Sequence, residues 1–370
     1  MPPPTLHRRQ LLAGLAAGAL ASGPLRSLAA GAPPALGAGI RLIANENPYG
    51  PSPAALAAMR TAASRGAYYP GPERGELIGR IAAANDLDEE AVVVSSGSSE
   101  ALNAACLAWG RAGRIVAPAV TFDIQLRYAE RLGVSVQRVP LADDLQIDLD
   151  AMAAAVDDGV SLVYLCNPNN PTGLALPREQ LEAFIDRVAP RAVVLIDEAY
   201  NELAADPAAQ SMLHRVQAGH NVIVTRTFSK IHGLAGLRIG YAMAPPVLAE
   251  TLRQHVMSFP SSVAYAGALA SYEDRAFLQH SRRMVAEGRS LVQETLRRNR
   301  VRYLPTEANF IYADIGRDAD AFQAAMKAEG VLIRGVYGPY RTWSRISMGR
   351  LEDLERFAGI FDRVYNAEIT

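Results

Sequence analysis

From about Val92 to Thr225, short β-branched and aliphatic runs alternate with amphipathic stretches. The runs Val92–Ser95, Ile115–Ala117, Ser135–Val139, Leu162–Leu165, Val193–Ile196 and Val222–Thr225 predict strands. Between them Ser99–Trp109, Asp123–Leu132, Leu149–Val156 and Arg178–Val188 predict helices. Such alternation predicts an α/β fold with a mostly parallel sheet, covered on both faces. After about Ala264 the pattern changes. A long charged helix over Phe277–Asn299 precedes shorter strands near Phe310–Ala313 and Val331–Arg334. That predicts a second, smaller α+β domain. No internal repeat interrupts either part.

The first residues follow another pattern. Arg8-Arg9-Gln10-Leu11-Leu12 leads into a mild apolar run to about Ala21, and Ser27–Ala30 offers small residues suited to cleavage. A charged start, a short apolar stretch and a small-residue end is the layout of a secretory signal. The paired arginines resemble the twin-arginine type, which implies export to the periplasm or beyond; without export the chain would be cytoplasmic. The run is too short and Gly-rich to make a stable membrane span. The Pro/Gly/Ala-rich stretch that follows reads as an extended arm. The expected organisation is a signal over 1–30, an arm over 31–45, a large domain over 46–264 and a small domain over 265–370.

The chain has 370 residues, 20% of them charged, and a net charge of -1. Nothing in that balance points to nucleic acid or an anionic membrane. Cys106 and Cys166 lie in apolar surroundings and read as buried core thiols. The histidines show no ligand spacing, so no catalytic metal is expected. The four aspartates within Asp143–Asp150 read as a solvated connection.

Candidate chemistry falls just after the apolar runs, where ligands of open α/β sheets bind. Asp197 ends the Val193–Ile196 run. It either caps the next helix or pairs with a buried cation such as a protonated ring nitrogen, with Tyr200 in reach of the same ring. The run Cys166-Asn167-Pro168-Asn169-Asn170-Pro171-Thr172-Gly173 predicts an irregular turn that presents amides, Asn170 among them. Thr225-Arg226-Thr227-Phe228-Ser229-Lys230 places hydroxyls at Thr227 and Ser229 beside an amine that burial and nearby cations would deprotonate. Arg238 adds a guanidinium suited to phosphate. Ser95-Ser96-Gly97-Ser98-Ser99-Glu100 joins a strand to a helix, either as a phosphate cradle or as ordinary caps.

In this order the motifs resemble the fold type I pyridoxal-phosphate enzymes, and most closely the histidinol-phosphate aminotransferase branch. The likeness runs from about Arg41 to Phe361. Ala44-Asn45-Glu46-Asn47-Pro48-Tyr49-Gly50-Pro51 is similar to that branch's opening signature, and Tyr69-Pro70, Asn169–Gly173, Ser229-Lys230, Leu234–Arg238 and Ala308-Asn309-Phe310 match further signatures. The resemblance implies a large domain with a mostly parallel seven-stranded sheet. It implies pyridoxal 5'-phosphate carried by Lys230 as a Schiff base, with Asp197 on the pyridine nitrogen and Asn170 and Tyr200 on the phenolic oxygen. Phe122 would stack on the ring. Ser98, Ser99, Thr227, Ser229 and Arg238 would bind the phosphate. Tyr69 would reach that phosphate from a neighbouring subunit, which implies a homodimer with shared sites. Asn47, Tyr49, Arg334 and Arg345 would bind substrate.

The implied reaction moves an amino group between an amino acid, or a histidinol-phosphate-like amine, and a 2-oxo acid. Decarboxylases and cyclising enzymes share these motifs, and an exported accessory protein with an idle site is the non-enzymatic alternative. One segment departs from the branch. Gly335-Val336-Tyr337-Gly338-Pro339-Tyr340 places aromatics between Arg334 and Arg345, where relatives tend to be more polar. That departure and the signal argue against histidinol phosphate itself as the substrate.

Overall fold

The computed structural model describes residues 39–367. The expected signal at 1–30, and the arm before residue 39, lie outside the described residues.

A seven-stranded sheet forms the centre. In spatial order its strands are Val92–Ser95, Gly240–Met243, Val222–Thr227, Val193–Asp197, Val160–Cys166, Arg114–Pro118 and Val136–Val139. All neighbours are parallel except those of Gly240–Met243, which runs antiparallel to both flanking strands. The central strands are apolar throughout because both faces are covered. In Val160–Cys166 the side chains alternate between the two layers. Leu162 and Tyr164 pack with Ala101, Leu102 and Ala105 of the helix Ser98–Gly110. Val163 and Leu165 pack with Leu181, Phe184 and Ile185 of the helix Arg178–Val188. Cys106 and Cys166 are free, buried thiols.

The strand Gly240–Met243 escaped the sequence reading. It is four residues long, begins with glycine and sits alone between a loop and a proline-started helix, so it lacks the strand–helix alternation. Its pairing also lengthens Val222–Thr225 to Thr227, through Arg226 opposite Tyr241 and Thr227 opposite Gly240.

The chain after residue 300 forms a three-stranded antiparallel sheet of Trp343–Ser347, Phe310–Asp314 and Arg302–Tyr303. The helices Arg275–Arg298 and Leu351–Asn366 pack against each other beside it. Phe322, Phe357 and Phe361 meet there. The expected strand over Val331–Arg334 ends at Leu332 and pairs in parallel with Ile40–Arg41. Arg334 instead bridges Arg345 through their backbones.

The carboxyl ends of Val160–Cys166, Val193–Asp197 and Val222–Thr227 lie side by side, with Cys166 opposite Asp197 and Asp197 opposite Thr225. The loops leaving these ends carry Asn170, Tyr200 and Lys230.

Candidate active site

Those strand ends open into a cavity of about 430 Å³. It is lined by Ser98, Ser99, Phe122, Asn170, Asp197, Tyr200, Thr227, Ser229, Lys230, Arg238, Arg334 and Arg345. Each of these was a sequence candidate.

Asp197 is 2% exposed. Its Oδ1 accepts a 3.2 Å hydrogen bond from Thr225 Oγ1 and it has no cationic partner within ion-pair distance among the described residues. Burial pushes its carboxyl up to about 6. Lys230 donates from Nζ to the carbonyl of Asn45 at 3.0 Å. Burial, and then the Arg345 guanidinium, lower its amine to about 8. The chain has two lysines, and the other, Lys327, sits exposed on the helix Ala319–Ala328. Lys230 is therefore the one lysine amine at the cavity.

Tyr200 is buried, and burial holds its hydroxyl well above the usual phenol range. The hydroxyl accepts from Asn45 Nδ2 at 3.0 Å and from Asn170 Nδ2 at 3.1 Å. The turn that presents Asn170 is held by its other asparagines. Asn167 Oδ1 accepts from the Leu176 amide, and Asn169 Nδ2 donates to the Val120 carbonyl and to Thr172.

A second group of residues forms an anion cradle. The helix Ser98–Gly110 starts at Gly97 with no side-chain cap, and the acid in its first turn, Glu100, is taken up by the Ser96 and Ser258 amides, so its first N–H groups are not met by a capping oxygen. Gly97 has φ +78°, and a Cβ there would run into the Arg238 guanidinium. Arg238 donates from Nη1 to Ser229 Oγ at 3.3 Å and to the Ala235 carbonyl at 2.9 Å. Thr227 Oγ1 bonds Ser229 Oγ at 2.9 Å and accepts from the Ser229 amide. Hydroxyls, an uncapped helix start and a guanidinium with no carboxylate partner among the described residues fit a phosphate group.

Arg345 lies on the strand Trp343–Ser347 and is 5% exposed. It donates from Nη1 to Asn170 Oδ1 and from Nη2 to the Ile43 carbonyl, each at 2.6 Å. Its Nε is buried without a partner among the described residues. The Tyr337 ring lies 5.4 Å from this guanidinium and 5.0 Å from that of Arg334. The site thus joins a buried carboxylate, a depressed amine, an aromatic wall and two groups of anion-binding residues.

Three sequence candidates stand elsewhere. Asn47 is buried away from the cavity lining, donating to the Ile231 carbonyl and to Ser281 Oγ and capping the Tyr49 amide. The Tyr49 hydroxyl accepts from the Leu351 amide, and its ring packs under Arg350. Through these hydrogen bonds both tie the opening segment to the scaffold. Tyr69 is 86% exposed and meets the Phe259 ring edge-on, away from the cavity of its own chain. Asn45, Thr121, Arg127 and Tyr337 also line the cavity, and sequence pattern alone assigns them no role there. Asn45 was legible only as a polar residue within the 44–51 signature. Arg127 stands one helical turn after Asp123, a spacing that puts both on one face.

Comparisons with known proteins agree with this geometry. Residues 38–361 match the family Aminotransferase class I and II. The chain is 35% identical over 323 residues to the histidinol-phosphate aminotransferase of Moorella thermoacetica, covering 86% of this chain and 83% of that protein. It is 36% identical over 321 residues to histidinol-phosphate aminotransferase 2 of Ralstonia nicotianae, covering 85% of each. The crystal structure of histidinol-phosphate aminotransferase from Sinorhizobium meliloti in complex with pyridoxal-5'-phosphate matches with a TM-score of 0.80 at 29% identity, covering 88% of this chain and 90% of that one.

Proposed function

The chain belongs to the aminotransferase class I and II family and is a pyridoxal-phosphate-dependent aminotransferase, and from that premise we propose that Lys230 is its cofactor-bearing and proton-carrying residue. The observation that carries this reading is the presence at one cavity of Lys230, the one lysine there, and Asp197, a buried carboxylate with no cationic partner among the described residues. When bound, pyridoxal phosphate supplies an aldehyde that condenses with amines and a protonated ring that withdraws electrons from the substrate's α-carbon.

The chain's residues divide the work. Asp197 holds the ring nitrogen's proton, since a buried carboxylate gains most from a cation placed beside it. Ser98, Ser99, Thr227, Ser229 and Arg238 hold the phosphate. Phe122 covers the ring face, and Tyr200 with Asn170 holds the phenolic oxygen. Lys230 Nζ takes the proton from the substrate's Cα. An amine lowered to about 8 is free base in a useful fraction near neutral pH, whereas an ordinary lysine is not.

The substrate amine carries an anionic group, carboxylate or phosphate, held by Arg345 and Arg334. Arg345 lines the cavity, and each of its Nη atoms keeps a second N–H beyond the one used on Asn170 and Ile43, which supports this. A 2-oxo acid enters the same place as acceptor. Tyr337, whose ring lies within 5.4 Å of both guanidinium groups, adds an aromatic wall that favours an amine with a flat body, such as an aromatic amino acid.

The enzyme works as a homodimer in which Tyr69 completes the phosphate site of the other copy. Its 86% exposure supports this, as do Ile124, Tyr128 and the 92% exposed Met257 along one groove. Arg8-Arg9 directs export, so replacing both with lysine should retain the chain in the cytoplasm; secretion of that variant at parental levels would refute the assignment.

Absorbance of the loaded protein during addition of single amines tests the activity. A true donor bleaches the visible cofactor band, and a 2-oxo acid restores it. A band that no anionic amine changes would count against the proposed substrate class.

A further inference from the structure

Asn45 has φ 53°, in the left-handed region that asparagine tolerates better than most residues. That conformation lets one residue serve several neighbours at once. Its amide N–H donates to Ser347 Oγ at 2.9 Å, and its Oδ1 accepts from the same oxygen at 2.6 Å. Its Nδ2 donates to the Tyr200 hydroxyl at 3.0 Å. Its carbonyl accepts from Lys230 Nζ and from Asn309 Nδ2, both at 3.0 Å. Asn45 is 1% exposed, and all its polar groups are used.

The orientation of the two amides around Tyr200 follows from their other partners. Arg345 can only donate, so Asn170 Oδ1 faces Arg345 and Nδ2 faces Tyr200. A 2.6 Å separation suits O–H···O better than N–H···O, so Asn45 Oδ1 faces Ser347 and its Nδ2 faces Tyr200. The phenol oxygen therefore accepts from both amides, and its single proton is left to donate elsewhere. Tyr200 lines the cavity.

We propose that Asn45 is a positioning residue which, together with Asn170, fills the acceptor positions of Tyr200 and so commits the tyrosine's proton to the cavity. The inference rests on the reading of Tyr200 as a cofactor-facing donor. A donor committed in advance stabilises an oxygen that carries negative charge and needs no reorientation when that charge forms.

The test is a pH titration of the visible band of the pyridoxal-phosphate-loaded protein, for the parent, Tyr200→Phe, Asn45→Asp and Asn45→Gly. Donation from Tyr200 favours the deprotonated form of the bound cofactor, so its loss raises the titration midpoint. Asn45→Asp replaces a donor by an acceptor and turns the tyrosine's proton away from the cavity, while its negative charge raises the midpoint as well, so Asn45→Gly, which adds no charge, is the deciding variant. The Asp variant's midpoint is expected to rise by roughly one pH unit, the size of a lost hydrogen bond to a charged oxygen, and to approach that of Tyr200→Phe. Asn45→Gly keeps the carbonyl and suits the left-handed backbone, so it serves if the Asp variant does not fold; its midpoint rises by less. A midpoint that rises in Tyr200→Phe and stays at the parental value in Asn45→Gly overturns the proposal and leaves the role of Tyr200 standing. No shift in Tyr200→Phe overturns both.

Discussion

Asn170 joins Arg345 to Tyr200: its Oδ1 accepts from Arg345 Nη1 at 2.6 Å, and its Nδ2 donates to the Tyr200 hydroxyl at 3.1 Å. The residue proposed to hold the substrate's anion therefore also holds the amide that faces the phenolic side of the cofactor. Arg345→Lys keeps the charge but loses the planar fork whose two Nη atoms reach Asn170 and the Ile43 carbonyl separately. Steady-state kinetics should show kcat/KM falling about 10- to 100-fold, the worth of one or two charge-assisted hydrogen bonds. Because Asn170 also loosens, the cofactor's absorbance titration should move as well. A change in KM with an unchanged titration would mean that the link through Asn170 is idle.

Asp197 and Lys230 make the cofactor-free protein pay a stability cost for function. The carboxyl of Asp197 is raised from 3.8 to about 6, so the folded state binds its proton more tightly than the unfolded chain does. Its contribution to stability therefore falls as pH rises through that window. The Lys230 amine is lowered from 10.5 to about 8, so the unfolded chain binds its proton more tightly, and stability rises with pH between those values. Near neutral pH both carry charge and both cost stability. Asp197→Asn should then stabilise the cofactor-free protein by roughly 3 kcal/mol at neutral pH, two pKa units' worth. The gain should vanish below about pH 4. Thermal melts with and without pyridoxal phosphate check this. The variant should gain little from the cofactor, and a cofactor-free variant less stable than the parent would contradict the electrostatic account.

The half-buried Arg226 and the buried Glu198 form an ion pair at 3.0 Å, with the carboxylate also accepting from Ser211 Oγ and the Met212 amide. Arg226→Met leaves that carboxylate in the interior without its cation. Urea denaturation should show a loss of about 3–5 kcal/mol, the usual cost of orphaning a buried charge. A loss under about 1 kcal/mol, the value of a surface pair, would mean that water reaches Glu198.

Met257→Asp places a charge on the exposed groove that Ile124 and Tyr128 share. Sedimentation equilibrium should give a dimer for the parent and a weaker dimer or a monomer for the variant, with cofactor affinity falling in parallel if Tyr69 acts across the interface. A parent that sediments as a monomer while holding cofactor tightly would remove Tyr69 from the site.

Much of the sheet was legible because its central strands are apolar on both faces and the helices between them keep a clean period. Val92–Ser95 and Arg178–Val188 appear with the expected bounds. Gly240–Met243 and Trp343–Ser347 were not legible, since pairing with distant strands, rather than local pattern, makes them strands. Within the site, Asp197, Asn170, Lys230 and Arg238 stand at strand ends or in the loops just beyond, where position in the chain announces position in the fold. Asn45 comes from a segment without regular structure, and its hydrogen bonds span from 155 to 302 residues of sequence. Asn47 and Tyr49 share a signature with Asn45 but turn to the scaffold, a difference of backbone direction that composition does not carry.

The most direct test is borohydride reduction of the pyridoxal-phosphate-loaded protein followed by peptide mapping. With only Lys230 and Lys327 in the chain, the result is unambiguous. The account predicts a pyridoxyl label on the Lys230 peptide, absent from Lys327 and lost when an amine donor is added before reduction. A label confined to Lys327, or a loaded protein that yields no labelled lysine, would contradict it.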